Sequence, residues 1–332
     1  MSSFNIRLTP NDINAMKDML NFNGLSTKAL QKYYKTVLYT RKRLFKLQKA
    51  GYIAREVVYS AKELGDNKRK ISRVTNIYYL LYKGIRAINE HADPRYVVPK
   101  KESLDVANFV SNLYMCVPNL QSHRQARQKF KLTRNSYWPT CFIPSSPPLL
   151  IYIIGKNDKK YHLSRAIGFI KKHRSLGRHI IVSDKFEKNI FDLKNVYNVY
   201  FLFWDQALEI IENLAKDIDY YFKEFKTIIK KQLPHAIFYS QTTPPYWDVY
   251  VNGKTMKIAE LISGSLFLRE HLLNPISGVY VYAYEKSGNY LNSIKPKYGS
   301  YLIFFKRDQQ VYRVELNPKT KQLKISNLES LF

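Results

Sequence analysis

Apolar residues recur at helical spacing in three short stretches near the amino terminus. The first stretch follows Thr9-Pro10, which is typical of an N-cap with proline at the first helical position. After the break at Asn23-Gly24, Ser26 is placed to cap a second helix. A third helix is predicted from Val37 to Lys49. Three short helices joined by tight turns predict a helix-turn-helix unit.

The predicted third helix has two contrasting faces at 3.6 residues per turn. The arc predicted to pack comprises Val37, Leu38, Leu44, Phe45 and Leu47. The opposite arc, continued back to Lys35 two positions before the helix, comprises Lys35, Tyr39, Lys42, Arg43, Lys46 and Lys49. Arg41 is irregular because it falls on the apolar arc, where its side chain would have to snorkel. The pattern predicts a helix that contacts anions, and a merely solvated basic face is the alternative.

Two segments rich in β-branched and aromatic residues follow, at residues 52–59 and 74–82. The intervening segment is predicted to be a polar loop with basic residues that include Lys68, Arg69, Lys70 and Arg73. This pattern predicts a wing whose loop lies along the phosphate backbone or in a minor groove, while the third helix enters the major groove.

The whole chain is predicted to be a multidomain protein of the α+β or α/β class. Residues 1–92 are predicted to form a winged-helix DNA-binding domain, and a basic helical domain that binds protein is the alternative. A helical linker region is predicted at residues 93–148, with proline-containing breaks near 91–101. Short apolar strands alternate with helices at residues 149–234, which predicts an α/β domain with a mostly parallel sheet. Residues 235–332 are predicted to be β-rich, with a hairpin at Asn252-Gly253.

Charge strengthens the nucleic-acid interpretation. The 332 residues include 54 Lys and Arg against 26 Asp and Glu, a formal net charge of +28, and the excess is concentrated at the N-terminal end. Such a field accelerates encounter with a polyanion and makes the affinity depend on salt. A predicted helix near residues 121–130 adds Arg124, Arg127 and Lys129, which either extend the DNA footprint or form a solvated face.

Other features place the chain among cytoplasmic proteins without a membrane span. The amino terminus lacks the apolar core of a signal peptide, and the apolar run from Leu149 to Ile154 is too short to cross a bilayer. Cys116 and Cys141 are the only cysteines, and neither belongs to a Cys-x-x-Cys motif. They are therefore expected to be core thiols rather than metal ligands.

A series of segments follows a recognisable order along residues 8 to 215: LSTKALQKYYKTVLYTRKRLFKLQKAGYIARE, the wing, SHRQARQKF, Trp138-Pro139, LLIYIIG, YHLSRAIGFIKKH, GRHIIVS and VYFLFWDQALEIIENL. This order of elements resembles the replication-relaxation family of plasmid and mobile-element proteins. The resemblance implies a winged helix followed by a degenerate restriction-endonuclease-like α/β domain. It also implies DNA binding in the replication or transfer of a mobile element.

The residues that a nuclease of that fold needs are missing from the predicted strands. A Mg²⁺-dependent nuclease needs a carboxylate on one core strand and a Glu-x-Lys pair on the next, but residues 149–154 are apolar and residues 179–183 contain no such pair. Asp158 and Asp184 lie beside strand ends, where capping and turn roles are far commoner. His162, His173 and His179 lack an accompanying carboxylate or thiol pattern. The sequence therefore predicts neither a metal nor a cofactor, and no catalytic residue is assigned.

We therefore expect a sequence-specific protein that binds double-stranded DNA of a plasmid, phage or other mobile element, and that acts in replication initiation or its control. Two alternatives stay open: a transcriptional regulator of the element's genes, and a DNA nuclease or nicking enzyme whose site has no recognised motif. A homodimer and contacts with the replication or transfer machinery stay open as well. The ten candidate DNA-binding residues are Lys35, Tyr39, Lys42, Arg43, Lys46, Lys49, Lys68, Arg69, Lys70 and Arg73.

Overall fold

A computed structural model gives a mixed α+β fold. It describes residues 6–64, 68–88, 104–133, 137–155, 160–184, 188–193, 195–196, 198–232, 234–239, 247–251, 253–266, 279–283, 301–306, 311–316 and 323–327. The chain divides into two compact units, Met1–Phe169 with Val182–Asp184 and Ile170–Ile181 with Lys185–Phe332. The predicted linker at residues 91–101, Asp158 and Asn252 lie outside the described residues. The boundaries of the four segments expected from the sequence stay a prediction.

The first eighty-odd residues alternate short helices with a small sheet. Their elements are α1 (Pro10–Asn21), β1 (Leu25–Ser26), α2 (Thr27–Leu30), a 3-10 turn (Gln31–Tyr33), α3 (Val37–Lys49), β2 (Ile53–Leu64), β3 (Lys68–Leu80) and α4 (Tyr82–Ile88). The strands are antiparallel in the order β1-β3-β2. The three predicted helices are confirmed, and so is the predicted cap of α1, because Thr9 and Asp12 form a reciprocal capping box.

The ends of α3 follow from local chemistry. Thr36 caps its first turn by accepting a hydrogen bond from the backbone N–H of Tyr39 at 3.1 Å. At the other end Gly51 adopts a φ of +77°, which glycine tolerates without strain. The backbone N–H of Tyr52 then donates to the carbonyl of Leu47 at 3.0 Å, and this closes the helix in a Schellman-type turn.

The hairpin that follows α3 is longer than the sequence predicts. The expected polar loop at residues 60–73 is largely strand, since β2 continues to Leu64 and β3 begins at Lys68, with Lys62 opposite Lys70 and Glu63 opposite Arg69. The prediction was wrong because it ended each strand where apolar residues ended, whereas strand pairing depends on backbone hydrogen bonds. At about 3.4 Å per residue, the twelve residues of β2 give the hairpin a length of roughly 40 Å.

A five-stranded sheet and five α-helices follow in the described residues. The elements are α5 (Leu104–Cys116), β4 (Gln121–Ser122), α6 (His123–Lys129), β5 (Cys141–Ile143), β6 (Leu149–Ile153), α7 (Lys160–Lys172), β7 (Arg178–Ser183), β8 (Val199–Phe203), α8 (Trp204–Lys216) and α9 (Tyr220–Gln232). The sheet order is β4-β5-β6-β7-β8. It is not parallel throughout, because β5 pairs antiparallel with both β4 and β6. The predicted strands at 149–154, 179–182 and 199–204 are confirmed.

The last part of the described chain is β-rich, as predicted. It contains β9 (Ile237–Phe238), β10 (Trp247–Val251), β11 (Lys254–Glu260), β12 (Val279–Ala283), β13 (Tyr301–Lys306), β14 (Val311–Leu316) and β15 (Leu323–Asn327). They form a seven-stranded sheet in the order β15-β14-β13-β12-β11-β10-β9, in which β12 is parallel to both neighbours. None of the helices in the described part of the chain has both the length and the apolar character needed to cross a membrane.

Candidate nucleic-acid interface

Helix α3 presents a basic face to solvent. Thr40, Leu44 and Leu47 are buried and fix which side of the helix packs. Five of the six candidate residues on or beside α3 are exposed, namely Lys35, Tyr39, Lys42, Lys46 and Lys49. Because α3 contains no acidic residue, this face carries positive charge alone. We call these five residues together with Leu38 and Phe45 the α3 face.

Arg43, the sixth candidate, does not belong to this face, and its predicted exposure was wrong. Its side chain is 12% exposed and lies against Asp12, whose side chain is fully buried. The Nε of Arg43 donates to Oδ1 of Asp12 at 2.9 Å, and a terminal nitrogen donates to the carbonyl of Arg7 at 2.7 Å. The helical wheel could not reveal this, because the partner lies on another helix. Arg43 therefore holds α3 against α1.

The electrostatics of this pair agree with its geometry. Burial alone would raise the pKa of Asp12, but hydrogen bonds from Arg43, Thr9 and Tyr34 outweigh it and lower the pKa below its usual range. The hydroxyl of Tyr34 donates to Oδ1 of Asp12 at 3.0 Å. The hydrogen bond to Asp12 raises the pKa of Arg43. Both groups are consequently charged across the physiological range.

The predicted apolar arc of α3 was also partly wrong. Leu38 is 63% exposed, Phe45 is 56% exposed and Val37 is exposed as well. The packed arc is narrower than expected because Thr40 takes a core position, where its hydroxyl donates to the carbonyl of Thr36 at 2.8 Å. The Nζ of Lys49 lies 4.9 Å from the ring centroid of Phe45. The α3 face thus combines lysines with large apolar side chains.

A cleft of about 870 Å³ lies beside the α3 face. Residues of α2, α3, β2 and β3 line it, and they include the three cations Lys28, Arg41 and Arg55. Amide groups of Gln31, Gln48 and Asn76 add hydrogen-bonding capacity. Of the residues that the structure describes, none with a carboxylate lines this cleft. Its chemistry therefore suits an anionic group such as a phosphate.

The sequence interpretation missed these cleft residues as binding candidates. Arg41 was placed on an apolar arc, although it is exposed. Arg55 stands opposite Tyr78 in the register of β2 and β3, and no local pattern distinguishes it from other strand residues. Lys28 begins a stretch, residues 28–49, that contains no acidic residue, and this was the one signal that could have included it.

The candidates of the hairpin occupy strand positions rather than a loop. Lys68, Arg69 and Lys70 face Leu64, Glu63 and Lys62 across the hairpin, and Arg73 faces Tyr59. Lys68, Arg69 and Lys70 therefore lie at one end of the hairpin, whereas the pair of Ile53 and Leu80 lies at the other end, beside α3. The register gives the position of the backbone of these residues.

The residues considered for catalysis are not assembled into a metal centre within the described ranges, where no group of three His, Cys, Asp or Glu side chains is suitably placed. His179 is buried, and burial lowers its pKa to about 4. Cys141 is a buried core thiol, as predicted, and burial raises its pKa. No family model, no curated protein and no solved structure matches the chain.

Proposed function

We propose that residues 6–88 form a winged-helix unit that binds double-stranded DNA. The order of elements supports this proposal: α1, β1, α2, α3 and then a β2–β3 hairpin is the order of helices and strands that a winged helix requires. The antiparallel sheet order β1-β3-β2 agrees with it. In this proposal α3 is the recognition helix and the hairpin is the wing.

The α3 face carries the proposal, because it is exposed and every charged side chain on it is basic. Lys42 and Lys46 reach base edges or nearby phosphates in the major groove. Leu38 and Phe45 offer apolar contact to thymine methyl groups. The Asp12–Arg43 pair sets the position from which α3 enters the groove, so that Arg43 acts as a positioning residue and not as a reader of bases.

The cleft and the hairpin supply contacts that do not depend on base sequence. Lys28, Arg41 and Arg55 neutralise phosphates beside the groove that α3 occupies. The backbone of the long hairpin follows the adjacent strand of the DNA. Its basic residues are Lys68, Arg69, Lys70 and Arg73. Contacts of this kind fix the orientation of the protein on the duplex and make its affinity depend on salt.

The biological role that we propose is replication initiation, or its control, on a plasmid or another mobile element. It rests on the resemblance in the order of elements to the replication-relaxation family. Regulation of transcription from the same element is the second candidate, because one DNA-reading surface serves both roles. Two copies of the chain on a palindromic site are compatible with either role.

Selection of binding sites from a random duplex library tests this function. We expect the parent protein to enrich one sequence. The Lys42→Ala, Lys46→Ala double variant should lose that enrichment, since it removes contacts inside the groove. The matched control is Lys172→Ala with Lys231→Ala, which removes the same charge from exposed positions on α7 and α9. Loss of enrichment in both double variants, or in neither, would overturn the proposal.

A further inference from the structure

A second basic and aromatic surface lies in the first unit, away from the α3 face. It is a shallow pocket of about 280 Å³. Four segments that are distant in sequence meet there: the turn after α1, the start of α6, the chain before β5, and α7. Its lining includes Asn23, His123, Tyr137, Trp138, Thr140 and Arg165.

The aromatic rings of the pocket are held in defined orientations. The rings of His123 and Trp138 are nearly parallel, with an interplanar angle of 9° and centroids 6.1 Å apart. The indole N–H of Trp138 donates to the carbonyl of Thr133 at 3.1 Å. Burial, aided by the charge of Arg124, lowers the pKa of His123 to about 4. His123 is therefore neutral near pH 7 and offers an uncharged aromatic ring.

Arg165 gives the pocket lining its charge, and a second arginine, Arg127, lies over one of the rings. The guanidinium of Arg127 lies 5.1 Å from the Trp138 ring centroid. The guanidinium of Arg165 lies 5.6 Å from the ring of Tyr137 and 5.4 Å from the ring of Tyr161. Within the described part of the chain, no acidic side chain lines the pocket. The ligand that suits it is flat, aromatic and attached to an anion.

A nucleotide has these properties. A base can stack against the aromatic rings, its edge can bond to the amide of Asn23 or the hydroxyl of Thr140, and its phosphate can meet the arginines. The volume is slightly below the range of about 300–1,000 Å³ that drug-sized ligands occupy, which suits one base. Bases inside a duplex are stacked and paired, so only an unstacked base can enter.

We propose that this pocket binds an unstacked base of single-stranded DNA, with Arg165 and Arg127 beside its phosphate. The inference goes beyond the proposed binding of duplex DNA and does not depend on it. A protein with both surfaces can hold a duplex through α3 and a separated strand through the pocket. An opened origin presents both forms of DNA.

Fluorescence anisotropy with the full chain and a labelled oligothymidine of about 12 nucleotides tests the proposal at one fixed salt concentration. Trp138→Ala changes no charge and should weaken binding by about tenfold, since one stacked base is lost. Trp138→Phe keeps a ring and should remain within about threefold of the parent. Affinity for a duplex of equal length should stay unchanged in both variants. Unchanged single-strand affinity in Trp138→Ala, or an equal loss for duplex and single strand, would overturn the proposal.

Tryptophan fluorescence provides a second test that needs no destabilising change. Base stacking should quench Trp138 when the oligothymidine binds to the parent protein, and Trp138→Phe, which retains Trp204 and Trp247, should lose that quenching. Quenching that persists in Trp138→Phe would contradict the proposal. Thymidine monophosphate is the competitor that distinguishes a free nucleotide from a strand. Saturation by the monophosphate without any binding of the oligothymidine would overturn the assignment to single-stranded DNA.

The two DNA surfaces can be separated by their variants. The Lys42→Ala, Lys46→Ala double variant should lose duplex selectivity and keep the quenching of Trp138 by the oligothymidine. A failure of duplex recognition by α3 therefore does not contradict the proposal for the pocket. A failure of single-strand binding at the pocket likewise does not contradict the proposal for α3.

Discussion

Arg43 on α3 neutralises the buried carboxylate of Asp12 on α1, across 31 residues of sequence. Asp12 also completes the capping box of α1 and accepts the hydroxyl of Tyr34. One carboxylate therefore connects the start of α1, the segment before α3 and the middle of α3. The position of the proposed recognition helix therefore depends on an ion pair whose side chains are 12% and 0% exposed.

Removal of Arg43 should destabilise the fold strongly. Arg43→Ala leaves a buried carboxylate without its cation, for which a loss of about 3–5 kcal/mol in the free energy of unfolding is typical. Lys46→Ala, on the exposed side of α3, should change the free energy of unfolding by less than about 0.5 kcal/mol. Urea denaturation of both variants measures the difference. Equal stability of the two variants would show that the pair does not hold α3.

The sequence predicted most elements because their apolar periodicity is local. Helix α1 was found from Thr9-Pro10 and its apolar spacing, and β6 from its run of apolar residues. The extent of the hairpin was not predictable in the same way. Lys62 and Lys70 pair through their backbones, and side-chain polarity carries little information about backbone pairing.

The candidate sites were less predictable than the elements, because tertiary contacts decide them. Periodicity placed the side chain of Arg43 in solvent, but Arg43 lies against the buried carboxylate of Asp12. Periodicity placed Leu38 in the core, but Thr40 takes the core position and Leu38 is exposed. The pocket that joins His123 to Arg165 brings together residues that no motif connects. A sequence can show that charge is present on a helix, whereas the partner of each charge depends on the fold.

Loss of a cleft cation should weaken duplex binding without changing sequence preference. Arg55→Ala should lower affinity for all duplex sequences by a similar factor, because a phosphate contact carries no base information. The slope of log affinity against log salt should become shallower by about 1. Titrations at several salt concentrations measure this slope. A slope equal to those of the parent and of the control Lys231→Ala would exclude Arg55 from phosphate contact.

The contact between Gly84 and Tyr52 should not tolerate a methyl group. A Cβ on Gly84 would lie 2.2 Å from the carbonyl oxygen of Tyr52, and a backbone atom cannot move aside cheaply. Gly84→Ala should therefore destabilise the protein by about 1–3 kcal/mol, despite the better helix propensity of alanine. Gly168→Ala on α7 is the control, because its Cβ meets nothing within 4 Å. It should stabilise the protein by about 0.4–1 kcal/mol, and thermal unfolding distinguishes the two signs.

Acid should reduce the contribution of His179 to stability. Burial lowers its pKa in the folded protein to about 4 from a usual value of 6.5, so the unfolded chain binds the proton more tightly. The contribution is therefore complete above pH 6.5 and declines as the pH falls towards 4. Relative to His179→Gln, the free energy of unfolding of the parent should fall by about 2 kcal/mol between pH 7.5 and pH 5. Urea denaturation at both pH values measures it, and a pH-independent difference would refute the assignment.

Glu260 should have the opposite pH dependence. Its carboxylate is buried, and burial raises its pKa to about 7, although Ser263 donates from its backbone N–H at 2.8 Å and its hydroxyl at 2.6 Å. Because the folded protein binds this proton more tightly than the unfolded chain, the contribution is complete below pH 4.5 and declines as the pH rises through 7. Glu260→Gln keeps an acceptor for the Ser263 N–H. Its free energy of unfolding should rise relative to that of the parent by about 3 kcal/mol between pH 4.5 and pH 8. Glu209→Gln on the exposed side of α8 should show no such trend, and an identical trend in both variants would mean that burial of Glu260 is not its cause.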